Sequence, residues 1–192
     1  MERRFTRFRR TVPPGATGVY PVPGSGMCLS AFLVLHPPGR KDEVLLGRLN
    51  ADAPWLDLGA LEPERVRSIG RRWMLPSSHL LFFECPDDAV RRICREQLTS
   101  ELPRVDGPRV FSDPYPRTKG SNDDPHWDLH FVYVGDWPTD RPPASSAWSE
   151  LKFVDVTRTD PGEIARAQAD ILDLVGGGPG VTGAADRRAT TG

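Results

Sequence analysis

Cysteine is scarce in this chain, and its placement excludes a paired-thiolate metal site. Cys28, Cys85 and Cys94 are the only cysteines in 192 residues, and no two stand at the short spacing of metal ligands. An odd count without a leader segment favours reduced thiols and a cytoplasmic location. Long apolar runs are missing as well. None approaches the roughly 20 residues that cross a bilayer, so no membrane span is expected. The opening MERRFTRFRR is basic, but no apolar stretch follows it, so it does not read as a secretory signal. The net charge of -1 gives no global attraction to nucleic acid. There is no Gly-rich loop ending in Lys-Ser or Lys-Thr, no nucleophile-elbow serine and no Cys-x-x-Cys pair. The GGGPG near the end leads into no helix, which excludes a dinucleotide fingerprint.

What is present is ordinary globular material with unusual ends. Hydrophobic residues make up 38% and charged residues 27%, which suits one soluble domain with tails. Prolines concentrate between Val12 and Gly26 and around Pro138 to Pro143, which read as extended linkers or loops. Arg3, Arg4, Arg7, Arg9 and Arg10 cluster at the start with Phe5 and Phe8 between them. Such an arm can touch RNA or an anionic lipid surface. The plainer reading packs the Phe rings on the domain and leaves the Arg heads wet. The expected organisation is a basic, Pro-rich arm over 1–25, a folded domain over 26–176 and a disordered tail over 177–192.

Inside the domain, Met27 to His36 (MCLSAFLVLH) predicts a buried strand, and Pro37-Pro38-Gly39 a turn. Glu43 to Leu49 predicts its hairpin partner. Glu62 to Arg72 predicts a short helix with Pro63 in its first turn. The long segment 50–72 reads either as a lid or as a structural cap over the sheet. Strands are expected over Arg109 to Tyr115, His126 to Val134 and Trp148 to Val154. Pro161 to Val175 predicts a final helix, with Asp160 as N-cap and the glycine run from Gly176 as its stop.

The most informative stretch is Leu75 to Leu98, LPSSHLLFFECPDDAVRRICREQL. On a helix, residues three and four apart share a face, so acids at i, i+3 and i+4 aim three carboxylates at one spot. That is the oxygen-rich surrounding hard divalent cations require. Leu75 to Leu98 resembles the Nudix box, whose pattern is Gly, five residues, Glu, seven residues, then Arg-Glu-aliphatic-x-Glu-Glu. Ser78 takes the Gly position, Glu84 the first Glu and Arg92 the Arg. Ile93 stands where the paired Glu belongs, Cys94 at the aliphatic position, and Glu96 and Gln97 at the last two acids. LPSS stands for LPGG, and the helix is expected from about Pro86 to Leu98. Only Glu96 of the three helix acids remains. A frame built on Arg95-Glu96 loses the flanking matches.

The resemblance implies an α/β (α+β) class, a Nudix-like α/β/α sandwich with a central mixed sheet. It implies a hydrolase of nucleoside diphosphate-linked compounds, here with a damaged box. Glu84 and Glu96 would be the catalytic and metal-binding carboxylates for Mg²⁺ or Mn²⁺, with Arg92 orienting Glu96. Asp87, Asp88 or Asp128 would substitute for the lost acids. The alternatives are a non-catalytic nucleotide-binding or protein-interaction module on the same scaffold, with no cofactor.

Other residues invite a ligand. His126, Asp128 and His130 share one face of their strand. Two imidazoles and a carboxylate suit Zn²⁺, Fe²⁺ or Mn²⁺. Their span of about 13 Å favours a polar pocket wall instead. His79 follows the Ser-Ser turn and is either a phosphate or base contact or a hydrogen-bonded loop residue. Trp55, Trp73 and Tyr115 are candidates for base stacking, though large aromatics mostly pack. Cys94 beside Arg95 reads as a buried small hydrophobe rather than a reactive thiol.

Overall fold

The computed structural model describes residues 7–8, 27–115, 126–165 and 168–176; the side chains of 7–8, 113–115 and 126 lie outside that description. In chain order the elements are β1 (Arg7–Phe8), β2 (Met27–His36), β3 (Glu43–Leu49), α1 (Trp55–Gly59), α2 (Pro63–Ile69), β4 (Ser77–His79), α3 (Pro86–Gln97), β5 (Val105–Tyr115), β6 (His126–Asp136), β7 (Trp148–Asp155), a 3₁₀ turn (Pro161–Glu163) and α4 (Gln168–Leu174).

β2 is buried from Ser30 onward, as a near-continuous apolar run requires when both faces are covered. β6 lies parallel to it along one edge, from Met27↔Trp127 to His36↔Asp136. β4 and β1 run antiparallel along the other edge, and β5 is antiparallel outside β6. This mixed sheet carries a layer on each side. Ala31, Leu33 and Leu35 meet Ala89, Val90, Ile93 and Cys94 of α3. Phe32 and Val34 face the opposite way, into Val44, Leu46, Val154, Ile164 and the α4 residues Ile171 and Leu172. The period of two along β2 thus separates two cores, and the sandwich expected from the sequence is present.

Three elements depart from expectation. β3 is not the hairpin partner of β2; it pairs antiparallel with β7 in a separate two-stranded sheet. Both edges of β2 are already occupied, so β3 passes into the adjoining layer, where its alternate residues serve both cores. The final helix is broken. Asp160 does cap, accepting from the Gly162 N–H at 2.9 Å, but only a 3₁₀ turn follows. Ile164 then runs extended beside Trp73, with Trp73 N–H donating to Glu163 O and Ala165 N–H to Trp73 O, and α4 starts at Gln168. Segment 50–72 holds two helices instead of one. α2 ends at Ile69 because Gly70 turns the chain with φ 59°, and α1 was not expected. Trp55, Val66 and Ile69 form a third core with Leu49, Met74 and Trp148, so this segment is packed as a cap.

His36 closes β2, buried, with Nδ1 2.9 Å from Glu43 O. Burial is the main cause that holds its pKa below the ordinary 6.5. The unfolded chain therefore takes up the proton first. Stability from the neutral ring is complete above pH 6.5 and is lost as pH falls through the depressed folded value. Thermal melts from about pH 7.5 to 5.5 are expected to show a falling Tm that flattens in His36→Gln. An equal slope in both proteins contradicts this.

Candidate functional site

α3 begins with Pro86 at its first position and Asp87 and Asp88 in its first turn, an arrangement favoured by the missing proline N–H and by the helix dipole. It ends at Gln97, one residue before the expected limit. Ile93 is fully buried and packs in the core beneath β2.

Arg92 organises the turn that leads into the helix. Its Nε donates to Glu84 Oε1 at 2.7 Å and its NH2 to Glu84 Oε2 at 2.8 Å, a bidentate pair. NH2 also donates to His79 O at 3.0 Å, and NH1 to Ser78 Oγ at 3.2 Å. The Arg92 side chain is 6% exposed and that of Glu84 10%. Glu84 Oε2 accepts a further bond from Leu81 N–H at 2.8 Å. Both Glu84 oxygens are thereby committed to holding the loop. The loop turns through Phe82 and Phe83, where Glu84 N–H donates to Leu81 O at 3.0 Å and Phe83 adopts φ 66°. A bulky residue at positive φ is a genuine outlier, held here by the clamp on either side.

The positions of the expected carboxylate trio divide sharply. Glu96 is partly exposed, with Oε2 3.9 Å from Arg92 NH1. Ile93 offers no donor atom. Gln97 has no exposed surface, and its amide is fully used: Oε1 accepts from Ser77 N–H at 3.2 Å, while Nε2 donates to Ser77 O at 2.8 Å and Leu58 O at 2.9 Å. Its own carbonyl accepts from Ser145 Oγ at 2.7 Å and Trp148 Nε1 at 2.8 Å. The acids expected to compensate are placed elsewhere. Asp87 accepts from the Tyr133 hydroxyl, and Asp88 from Cys85 Sγ and Arg91 NH1. Eight or nine residues of helix put both about 12 Å or more along the axis from Glu96. Among the described residues, no three His, Cys, Asp or Glu side chains are grouped to hold a metal ion. Of the three helix positions of the pattern, only Glu96 carries a carboxylate.

The imidazoles lie across the sheet from the clamp. Ser78 points toward α3 and receives Arg92, whereas its neighbour His79 points the other way, with Nδ1 3.0 Å from Ser30 Oγ. Ser30 is in register with His130, and His130 stacks edge-on against Phe32 at 5.1 Å. Cys28 and Asp128 form the next row on that face. His79, Asp128 and His130 thus share one sheet face, separated from Glu84 and Glu96 by the sheet itself. The side chain of His126 lies outside the described residues.

Two of the aromatic candidates are core. Trp55 packs edge-on against Trp148, and Trp73 sits under the Arg48 guanidinium at 4.2 Å and the Lys152 ammonium at 4.8 Å. The Tyr115 side chain lies outside the described residues. Cys94 is buried, and burial pushes its thiol up to about 12. An alkylating reagent at about pH 8 is expected to label exposed Cys85 and to spare Cys94 until the chain unfolds, as mass mapping would read. Prompt labelling of Cys94 contradicts its place in the core. Sequence reasoning also missed a cavity of about 420 Å³ between the Asp87–Arg91 side of α3, Leu102 to Val105, and Tyr133. No repeat or motif marks it, because its walls come from three separate elements.

No protein-family model and no curated protein sequence matches this chain. Solved structures do match. A MutT Nudix hydrolase from Burkholderia pseudomallei superposes with TM-score 0.51 at 17% identity, over 78% of this chain and 98% of that one. The E. coli dihydroneopterin triphosphate pyrophosphohydrolase superposes with TM-score 0.51 at 13% identity, over 77% of this chain and 94% of that one. The fold is Nudix-like.

Proposed function

We propose that this chain is a non-hydrolytic binding module on a Nudix-like fold, with a nucleotide-type ligand. The observation that carries the reading is at α3. Ile93 fills the core where the pattern has an acid, Gln97 is consumed by backbone bonds, and Glu84 is clamped by Arg92, so one carboxylate, Glu96, is left at the box. Catalysis of diphosphate cleavage by paired cations needs several convergent oxygens. Glu84 and Arg92 of the box are kept and hold its loop, with Ser78 in the glycine's place, which supports retention of the scaffold. The ligand contacts we assign are His79, Asp128 and His130, on a face that offers imidazole and carboxylate groups to a polar ligand.

The test is a panel of nucleotide sugars, dinucleoside polyphosphates and ADP-ribose, measured for binding by calorimetry and for turnover with Mg²⁺ and Mn²⁺ present. Saturable binding without turnover, weakened at least about tenfold by His130→Ala, is the expected result. Hydrolysis of any member at an ordinary enzymatic rate, roughly 1 s⁻¹ or faster, overturns it.

A further inference from the structure

β5 ends the mixed sheet, and among the described residues only β6 pairs with it. Its other edge therefore carries a row of N–H and C=O groups without a ladder partner. The ladder itself says which residues own them. Trp137 N–H donates to His36 O, so the odd-numbered residues of β6 turn their backbone groups to β2. Val132 O turns the other way, to β5, where a Cβ on Gly107 would meet it at 2.9 Å. Val132 is in register with Arg109, so Arg109, Phe111 and Asp113 bond to β6, while Val110 and Ser112 turn outward. Pro108 and Pro114 bracket this stretch and have no N–H to offer. The two faces of the strand differ as well. Phe111 packs against the core of Phe32 and Val132, so Val110 and Ser112 share the opposite face with Trp127, whose Nε1 donates to Ser112 Oγ. Val110 is 57% exposed and Trp127 39%.

We propose that this edge pairs with the same edge of a second copy of the chain, through a two-fold antiparallel β5–β5 contact centred on Phe111. Charge selects that register. Centred on Phe111, Arg109 stands opposite the partner's Asp113, twice by symmetry. Centred on Val110 or Ser112, Arg109 would stand opposite Phe111 or Tyr115, and the match is lost. Opposite charges facing across a strand pair stabilise it, and like charges destabilise it. In the same register Val110 faces the partner's Ser112, so the outward N–H and C=O groups of both copies bond to one another. Phe111 meets the partner's Phe111 on one face as an aromatic pair. On the other face Val110 arrives beside the partner's Ser112 and Trp127, which covers the exposed apolar surface of both copies. The prolines fall opposite each other and confine the pairing to Arg109–Asp113. A contact this small, closed by its own symmetry, gives a weak dimer, with Kd on the order of 10–100 µM. It is independent of the ligand the cleft binds.

The experiment is sedimentation equilibrium of the full-length protein from about 5 to 500 µM, with Arg109→Asp, Asp113→Arg and the double exchange beside it. The natural protein is expected to pass from monomer to dimer over that range. Each single change sets like charges opposite one another at two places and should weaken the dimer at least about tenfold. The double exchange restores opposite charges and should return Kd to within about threefold of the natural value. Should a single variant fail to fold, the natural protein in about 0.05 and 0.5 M salt reads the same charges, and its dimer must weaken as salt rises. A natural protein that stays monomeric at about 500 µM overturns the proposal. So do single variants that associate like the natural chain, a double exchange no better than the singles, or a Kd that ignores salt. Growth beyond the dimer means head-to-tail pairing of edges, which overturns it too.

Discussion

Arg92→Ala is expected to destabilise the protein by about 3–5 kcal/mol, the range for removing one partner of a buried ion pair. The loss exceeds that of one contact because Arg92 makes four hydrogen bonds, two to Glu84 and one each to Ser78 Oγ and His79 O. Its removal leaves the Glu84 carboxylate nearly buried with only the Leu81 N–H to satisfy it. It also releases the turn that holds Phe83 at positive φ. Denaturant unfolding measures the loss. Glu84→Leu with Arg92→Met should cost much less than the sum of the single changes, because no orphaned charge remains. A loss below about 1 kcal/mol in Arg92→Ala would put the pair in the class of exposed surface bridges and end its role as the clamp.

The other large effect is at Ile93. Restoring the acid of the box pattern there, Ile93→Glu, sets a carboxylate among Ala31, Leu33, Leu35, Cys94 and Leu98. The expected cost is on the order of 4–5 kcal/mol, enough to unfold a marginal domain at neutral pH. Ile93→Val should cost only about 0.5–1.5 kcal/mol, the usual figure for one lost methyl in a core. Circular dichroism and denaturant melts of both variants decide the point. If Ile93→Glu folds with near-native stability, the side chain can leave the core, and the box retains room for a third acid.

The box helix was legible because its information is local, and the observed helix ends within a residue of the expected limit. β2, β3, β5, β6 and β7 were legible from composition, while the short β1 and β4 and the pairing were not. β2 is bonded to β6 across most of the chain, and nothing in MCLSAFLVLH says that β3 will pair with β7 instead. The break before α4 has the same origin, since Ile164 is drawn extended by Trp73. Gln97 shows the limit most clearly. Read alone it is a weakened metal ligand; its actual role comes from Leu58, Ser77, Ser145 and Trp148, which only the fold brings together. The placement of His79 opposite Ser78 was implicit in strand alternation, but required knowing that Ser77–His79 is a strand.

The central claim is that the box of this chain is a hydrogen-bonded clamp and not a cation site. Calorimetric titration of the natural protein with Mn²⁺ tests it most directly. The account predicts no saturable binding tighter than about 1 mM, and no difference between the natural protein and Glu96→Ala. Binding near 1 µM, on the order of −8 kcal/mol, that disappears in Glu96→Ala would contradict it.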